Sequence, residues 1–175
     1  MQLSLMVKFM NKKFIYLIVF FISIFLLKNL NSKDKIIKGK AKVVNSDYIK
    51  IDKQTIILFG VEAMERPQKC YINNELWPCW ESGVRKLEEI VDLGETVCFV
   101  KGKAKMNRVF AICETQNIEL NKELIRSGLA LARIKQSDLY IDDQRYAQEN
   151  NLGIWRGKFI EPWKWRMQNF IPDDP

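Results

Sequence analysis

Histidine is absent from this 175-residue chain, and its four cysteines include no C-x₂-C pair. Zinc is held mainly by thiolate and imidazole ligands at short spacings, so both gaps argue against a zinc site. There is no internal repeat and no low-complexity tract, which leaves one domain plus extras for a chain of this length. A local charge excess is missing too. Lys and Arg number 28 against 21 acids, but six of the bases and one acid lie in residues 1–35. Residues 36–175 keep 22 bases and 20 acids. A nucleic-acid binder usually carries a basic footprint on the folded domain itself, so charge alone gives nucleic acid little support.

What the N-terminus does have is an apolar run, FIYLIVFFISIFLL at 14–27, preceded by Lys8, Lys12 and Lys13. A helix of that length covers roughly 21 Å, short of a ~30 Å hydrocarbon core. The basic start and apolar middle read as an export signal. No Ala-x-Ala-like cleavage site follows, so an uncleaved anchor with lysines snorkelling at its ends is equally expected. Residues 1–30 are therefore read as signal peptide or membrane anchor, 31–37 as a linker and 38–170 as the folded domain. The expected location is outside the cytoplasm, secreted or tethered to the membrane through residues 14–27.

The cysteines agree with that compartment. Cys70 and Cys79 flank a loop rich in turn residues, YINNELWP, and Cys98 and Cys113 sit on two strand-like runs, ETVCFVKG and RVFAICET. A hairpin centred near 105–106 places Cys98 opposite Cys113, where Cβ atoms approach to ~4.5–5.5 Å. An even count in an exported chain predicts two bridges, 70–79 and 98–113. Strands are expected at 38–45, 47–53, 54–62, 95–101 and 108–115. Helices are expected at 81–92, where Val84, Leu87, Ile90 and Val91 recur at helical spacing, at 119–127 before Gly128, and from an N-cap at Ser137 or Asp138 to about Asn150.

The acids lie at particular points of this pattern. A turn at Asp52-Lys53 folds two strands together, which brings Asp47 alongside the strand that leads to Glu62 and Glu65. Carboxylates from separate strands suit a hard divalent cation. The strand before Glu62, Thr55-Ile56-Ile57-Leu58-Phe59, holds no basic residue to meet a phosphate.

Four segments carry a family likeness: LFGVEAMERPQKC (58–70), ELNKELIRSGLALAR (119–133), YAQENNLGIW (146–155) and PWKWR (162–166). In this order and spacing the chain resembles the staphylococcal-nuclease-like (thermonuclease) family over about residues 38–166, in the secreted bacterial form with degenerate catalytic motifs. The resemblance implies an α+β, mainly β fold: a five-stranded OB-type barrel with three helices, here preceded by a hydrophobic N-terminal helix. It also implies calcium-dependent hydrolysis of DNA and RNA; the expected substrate is single-stranded, and the expected state is a monomer.

By position, the resemblance puts Asp47, Glu62 and the Ala63 carbonyl on the metal, Glu65 on the attacking water and Arg108 on the phosphate. The family's first phosphate-binding arginine is Ile57 here, the second metal aspartate is Glu62, and a small hydroxyl residue is Tyr48. Losing one charge-stabilising donor costs ~10²–10³ in rate, and misplacement by ~1 Å can cost ~10², so weakened activity is expected. Lys50, Lys105 and Arg133 are the candidate substitutes for the lost arginine. The alternative reading is a catalytically inactive module on the same fold, binding a protein or an envelope polymer. The Trp155, Trp163 and Trp165 cluster is expected to pin the C-terminal segment onto the domain rather than to stack bases.

Overall fold

The computed structural model describes residues 16–18, 20, 21, 23 and 35–171. The chain divides after Asp34 into two units. In the first, the described residues are helical and solvent-exposed; the export signal or anchor expected over 1–30 otherwise lies outside the described residues. No described helix is long and apolar enough to cross a membrane.

The second unit is built on a mixed sheet. Its strands are β1 (Ile36–Gly39), β2 (Ala41–Asn45), β3 (Tyr48–Ile51), β4 (Gln54–Leu58), β8 (Thr96–Lys103) and β9 (Val109–Thr115), ordered β1-β8-β9-β4-β3-β2, with the short β10 (Ile118–Glu119) also paired to β9. The pairings are antiparallel except β4 with β9. Alternation produces the core face: Ile49, Ile51, Ile56, Leu58, Cys98, Ala111 and Cys113 are all buried. A closed five-stranded barrel does not form, because no ladder joins the two end strands β1 and β2. They are consecutive stretches of chain interrupted at Lys40, so one bent segment serves both edges.

In the second unit four α-helices occur among the described residues, not three: α1 (Cys79–Val91), α2 (Leu120–Arg126), α3 (Ile141–Glu149) and α4 (Pro162–Gln168), with a 3₁₀ turn at Gly153–Arg156. Helix α4 is the addition. Its two tryptophans mask its register, and Pro162 supplies the N1 position. Buried Leu87, Ile90 and Val91 confirm the apolar stripe of α1, and Gly128 follows α2 at φ +69°. Helix α3 starts later than expected. Ser137 accepts the Leu139 N–H instead of capping a helix, and the N-cap is Tyr140.

Both disulfides are present. Cys98 and Cys113 are paired directly across β8 and β9, at a Cα separation of 4.1 Å. The Cys70–Cys79 bridge closes a small hairpin, β6 (Cys70–Ile72) and β7 (Glu75–Trp77), in what the sequence shows as a loop. Asn73 and Asn74 both take positive φ at its tip, the backbone that a two-residue hairpin turn requires.

The strand expected at 54–62 is broken at Phe59-Gly60. The buried Asn121 of α2 explains the break. Its Nδ2 donates to the carbonyls of Phe59 at 2.9 Å and Ala111 at 3.1 Å, and its Oδ1 accepts the Cys113 N–H at 3.0 Å. Gly60 then turns the chain at φ +75°, where a Cβ would lie 2.8 Å from the Tyr140 ring. The released segment becomes β5 (Val61–Ala63) and pairs with β11 (Ala130–Ala132), Glu62 opposite Leu131.

Candidate active site

Asp47 sits in the two-residue turn between β2 and β3, and α1 holds that turn from behind. Trp80 Nε1 donates to Asn45 Oδ1 at 2.5 Å. One helical turn later Gly83 is buried against Ser46, where a Cβ would come within 3.2 Å of the serine's own. The Ser46 hydroxyl donates to the Met64 carbonyl at 3.0 Å, and the Leu58 N–H donates to the Asp47 carbonyl at 2.9 Å. These bonds tie the Asp47 turn to the end of β4 and to the segment carrying Glu62 and Glu65.

The result is one cavity of about 210 Å³ lined by Asp47, Glu62, Ala63, Glu65, Arg133 and Arg166. Glu62 is 8% exposed. Its carboxylate meets Arg166 Nη2 at 2.6 Å and Arg133 Nε at 3.4 Å. The other Nη of Arg166 donates to Glu65 at 2.8 Å, so one guanidinium bridges both glutamates. Burial, then the charges of Glu65 and Glu62, push the Asp47 carboxyl up to about 7; its own backbone N–H and Arg133 oppose this only partly. Three acids crowded this closely disfavour a third negative charge.

Arg108 does not line this cavity. It lies over the Tyr48 ring at 5.6 Å, with Nη1 3.5 Å from the Tyr48 hydroxyl, and Tyr48 lines the cavity edge. Ile57 is buried, paired with Tyr48 on one side and Phe110 on the other. Of the proposed substitutes for the arginine missing there, Arg133 reaches the cavity. Lys50 is an exposed residue of β3, and Lys105 is in the β8–β9 connection, where its carbonyl accepts from Arg108.

Sequence reasoning missed Arg166. Its signal was a basic residue within the PWKWR segment that carries the family likeness, but 101 positions separate it from Glu65. Among the tryptophans expected to pin the C-terminal segment, Trp155 keeps that role, packed against the cluster of Met64, Cys70, Cys79 and Ile154, and Trp163 departs from it. In α4 the buried residues are Pro162 and Arg166, while Trp163 is 41% exposed. Trp155 packs edge-on against Phe159 at 5.2 Å.

Residues 53–157 match the family described as staphylococcal nuclease homologue. The chain belongs to that family. The sheet and helices described above are consistent with its OB-like fold. An uncharacterized endonuclease of Haemophilus influenzae is similar to this chain, 32% identical over 74 residues. The match covers 41% of this chain and 42% of that relative, so the chain spans less than half the length of the curated relative it matches. The family membership suggests nuclease chemistry.

The family's metal is calcium, and the donors here fit it in kind: three carboxylates and backbone carbonyls are the oxygen ligands that a hard cation takes. Yet among the described residues no group of three acidic side chains is gathered tightly enough to hold an ion as it stands. Glu62 and Glu65 are drawn to Arg166 instead.

Proposed function

We propose that this protein is an exported phosphodiesterase of the staphylococcal nuclease homologue family that cleaves single-stranded DNA or RNA as a monomer, with calcium and at a reduced rate. One observation carries the reading: Asp47, Glu62 and Glu65 share a single cavity with the guanidiniums of Arg133 and Arg166. Export rests on the two disulfides, which persist in oxidising compartments, and on the basic, apolar leader with its membrane-directed segment 14–27.

Asp47, Glu62 and the Ala63 carbonyl would hold calcium, which supplies Lewis-acid polarisation of the phosphoryl oxygen and a more acidic water. Glu65 orients the attacking water and takes its proton as the new P–O bond forms and the bond to the leaving oxygen breaks. Arg166 and Arg133 meet the charge that develops on the phosphoryl oxygens, in place of an arginine at Ile57, and Arg108 approaches from the Tyr48 side. For this, Arg166 must exchange its glutamate partners for phosphate. That exchange costs ion-pair energy, which is a physical reason to expect slow turnover.

The Arg166 bridge also favours a second reading. If the guanidinium permanently replaces the cation, the protein is an inactive module that binds a protein or an envelope polymer. The test is cleavage of single-stranded DNA and RNA by the full chain with calcium or chelator, beside Asp47→Ala. Cleavage that needs calcium and Asp47 supports the enzyme. Activity no higher than that of the Asp47→Ala control selects the inactive module.

A further inference from the structure

Arg133, Arg166 and Glu62 form a wall with a second hollow on its far side. This neighbouring cavity has a volume of about 280 Å³ and is lined mainly by β11, the residues after it and α4. Two large apolar side chains face it while remaining open to solvent: Trp163, 41% exposed, and Ile134, 62% exposed. A tryptophan needed for packing would be covered, as Ile154 is at 2% exposure nearby in the chain.

The charges around Trp163 are cationic. Lys164 Nζ lies 5.1 Å and Lys135 Nζ 5.9 Å from its ring centroid. Arg133 and Arg166 line the same hollow. The acids present are partnered, Glu161 by Lys164 at 2.7 Å and Glu62 by the two arginines. Both ammoniums lie over the exposed indole, beside a pair of arginines, an arrangement that suits a single strand: a stacking base displaces the ammoniums from the ring, and they then meet its phosphates. The aromatic face stacks a base of any identity, and the cations follow the phosphates.

Resting on the phosphodiesterase reading, the geometry points to a nucleobase subsite at Trp163, where the base next to the scissile phosphate stacks on the indole against Ile134. Lys135 and Lys164 hold the adjoining phosphates, and Arg133 and Arg166 mark the border with the acid cavity. A paired base cannot present its face to Trp163, so this subsite makes the enzyme select single strands. The substrate class is an unpaired polynucleotide at least two nucleotides long.

The test is binding of a short fluorescein-labelled oligothymidylate to the full chain in chelator, by anisotropy, for wild type, Trp163→Ala and Trp163→Phe. The removed stacking should weaken binding by ~5- to 150-fold in Trp163→Ala, with Trp163→Phe recovering most of the loss. The melting temperature should stay within ~2 °C of wild type in both, because the side chain is solvent-exposed. Binding unchanged in Trp163→Ala overturns the subsite while leaving the nuclease reading intact. Equal losses in the alanine and phenylalanine variants also overturn it, since stacking would then not be the cause. A wild type that binds no oligonucleotide in chelator also overturns the subsite, and calcium-dependent cleavage of the same strand then decides the phosphodiesterase reading separately.

Discussion

Arg166→Met tests the centre of the site most directly. The substitution keeps an unbranched apolar stem and removes the guanidinium that meets Glu62 at 2.6 Å and Glu65 at 2.8 Å. Removing one partner of a buried ion pair costs ~3–5 kcal/mol, because the other charge stays buried without compensation. The Glu62 side chain is 10% exposed and keeps only the longer Arg133 contact, whereas that of Glu65 is 28% exposed and is partly screened by water. The lower end, about 3 kcal/mol, is therefore expected. At ~2–4 °C per kcal/mol for a domain of this size, the melting temperature should fall by roughly 10 °C. Calcium should then stabilise the variant more than the wild type, since Asp47, Glu62 and Glu65 no longer face a competing guanidinium. An ion at ~100 times its dissociation constant returns about 2.7 kcal/mol. Thermal unfolding by circular dichroism, with chelator and with millimolar calcium, reads both effects. A drop under ~2 °C would show that the bridge is not a buried pair. A large drop that calcium leaves untouched would show that the three acids do not converge on a common ion.

Further outcomes follow from other residues. The Asp47 carboxyl titrates near 7 in the folded chain against 3.8 as its ordinary value. Its contribution to the stability of the metal-free protein is therefore complete below about pH 4 and is lost as pH rises through 7, at up to about 1.4 kcal/mol per pH unit. Urea unfolding of wild type and Asp47→Asn in chelator at pH 5, 6 and 7 should show this slope in their difference; parallel curves would refute it. Asn121→Leu strands the Cys113 N–H and the Phe59 carbonyl and should destabilise by about 3 kcal/mol in the same assay; a loss below ~1 kcal/mol would mean water replaces the amide. Gly60→Ala combines a left-handed φ with a clash against Tyr140 and should lower cleavage together with stability; a neutral variant would remove Gly60 as the reason that β5 leaves the sheet. Ile57→Arg with Glu62→Asp should raise cleavage by ~10² or more, and a folded double variant with no gain would count against the phosphodiesterase.

Much of this protein was legible in its one-dimensional pattern. Alternating Tyr48-Ile49-Lys50-Ile51 and the spacing of Leu87, Ile90 and Val91 mark strand and helix, because burying one face imposes a period of 2 or 3.6. The Cys98–Cys113 register followed from the same alternation. So did the side-by-side placement of Asp47 and the strand leading to Glu62, since a tight hairpin leaves no freedom of register. The four ordered segments pointed to the family, and with it to nuclease chemistry. What the pattern could not carry were contacts between residues far apart in the chain. The break at Phe59-Gly60 depends on a buried amide from α2, and the strand pairing of Glu62 with Leu131 depends on that break. Arg166 reaches Glu62 and Glu65 because the short α4 docks with Arg166 inward and Trp163 outward. Local propensity would bury the tryptophan and expose the arginine, and the buried carboxylate of Glu62, with the half-buried one of Glu65, reverses that preference. The acids were set by local sequence; the cations that answer them were chosen by tertiary packing.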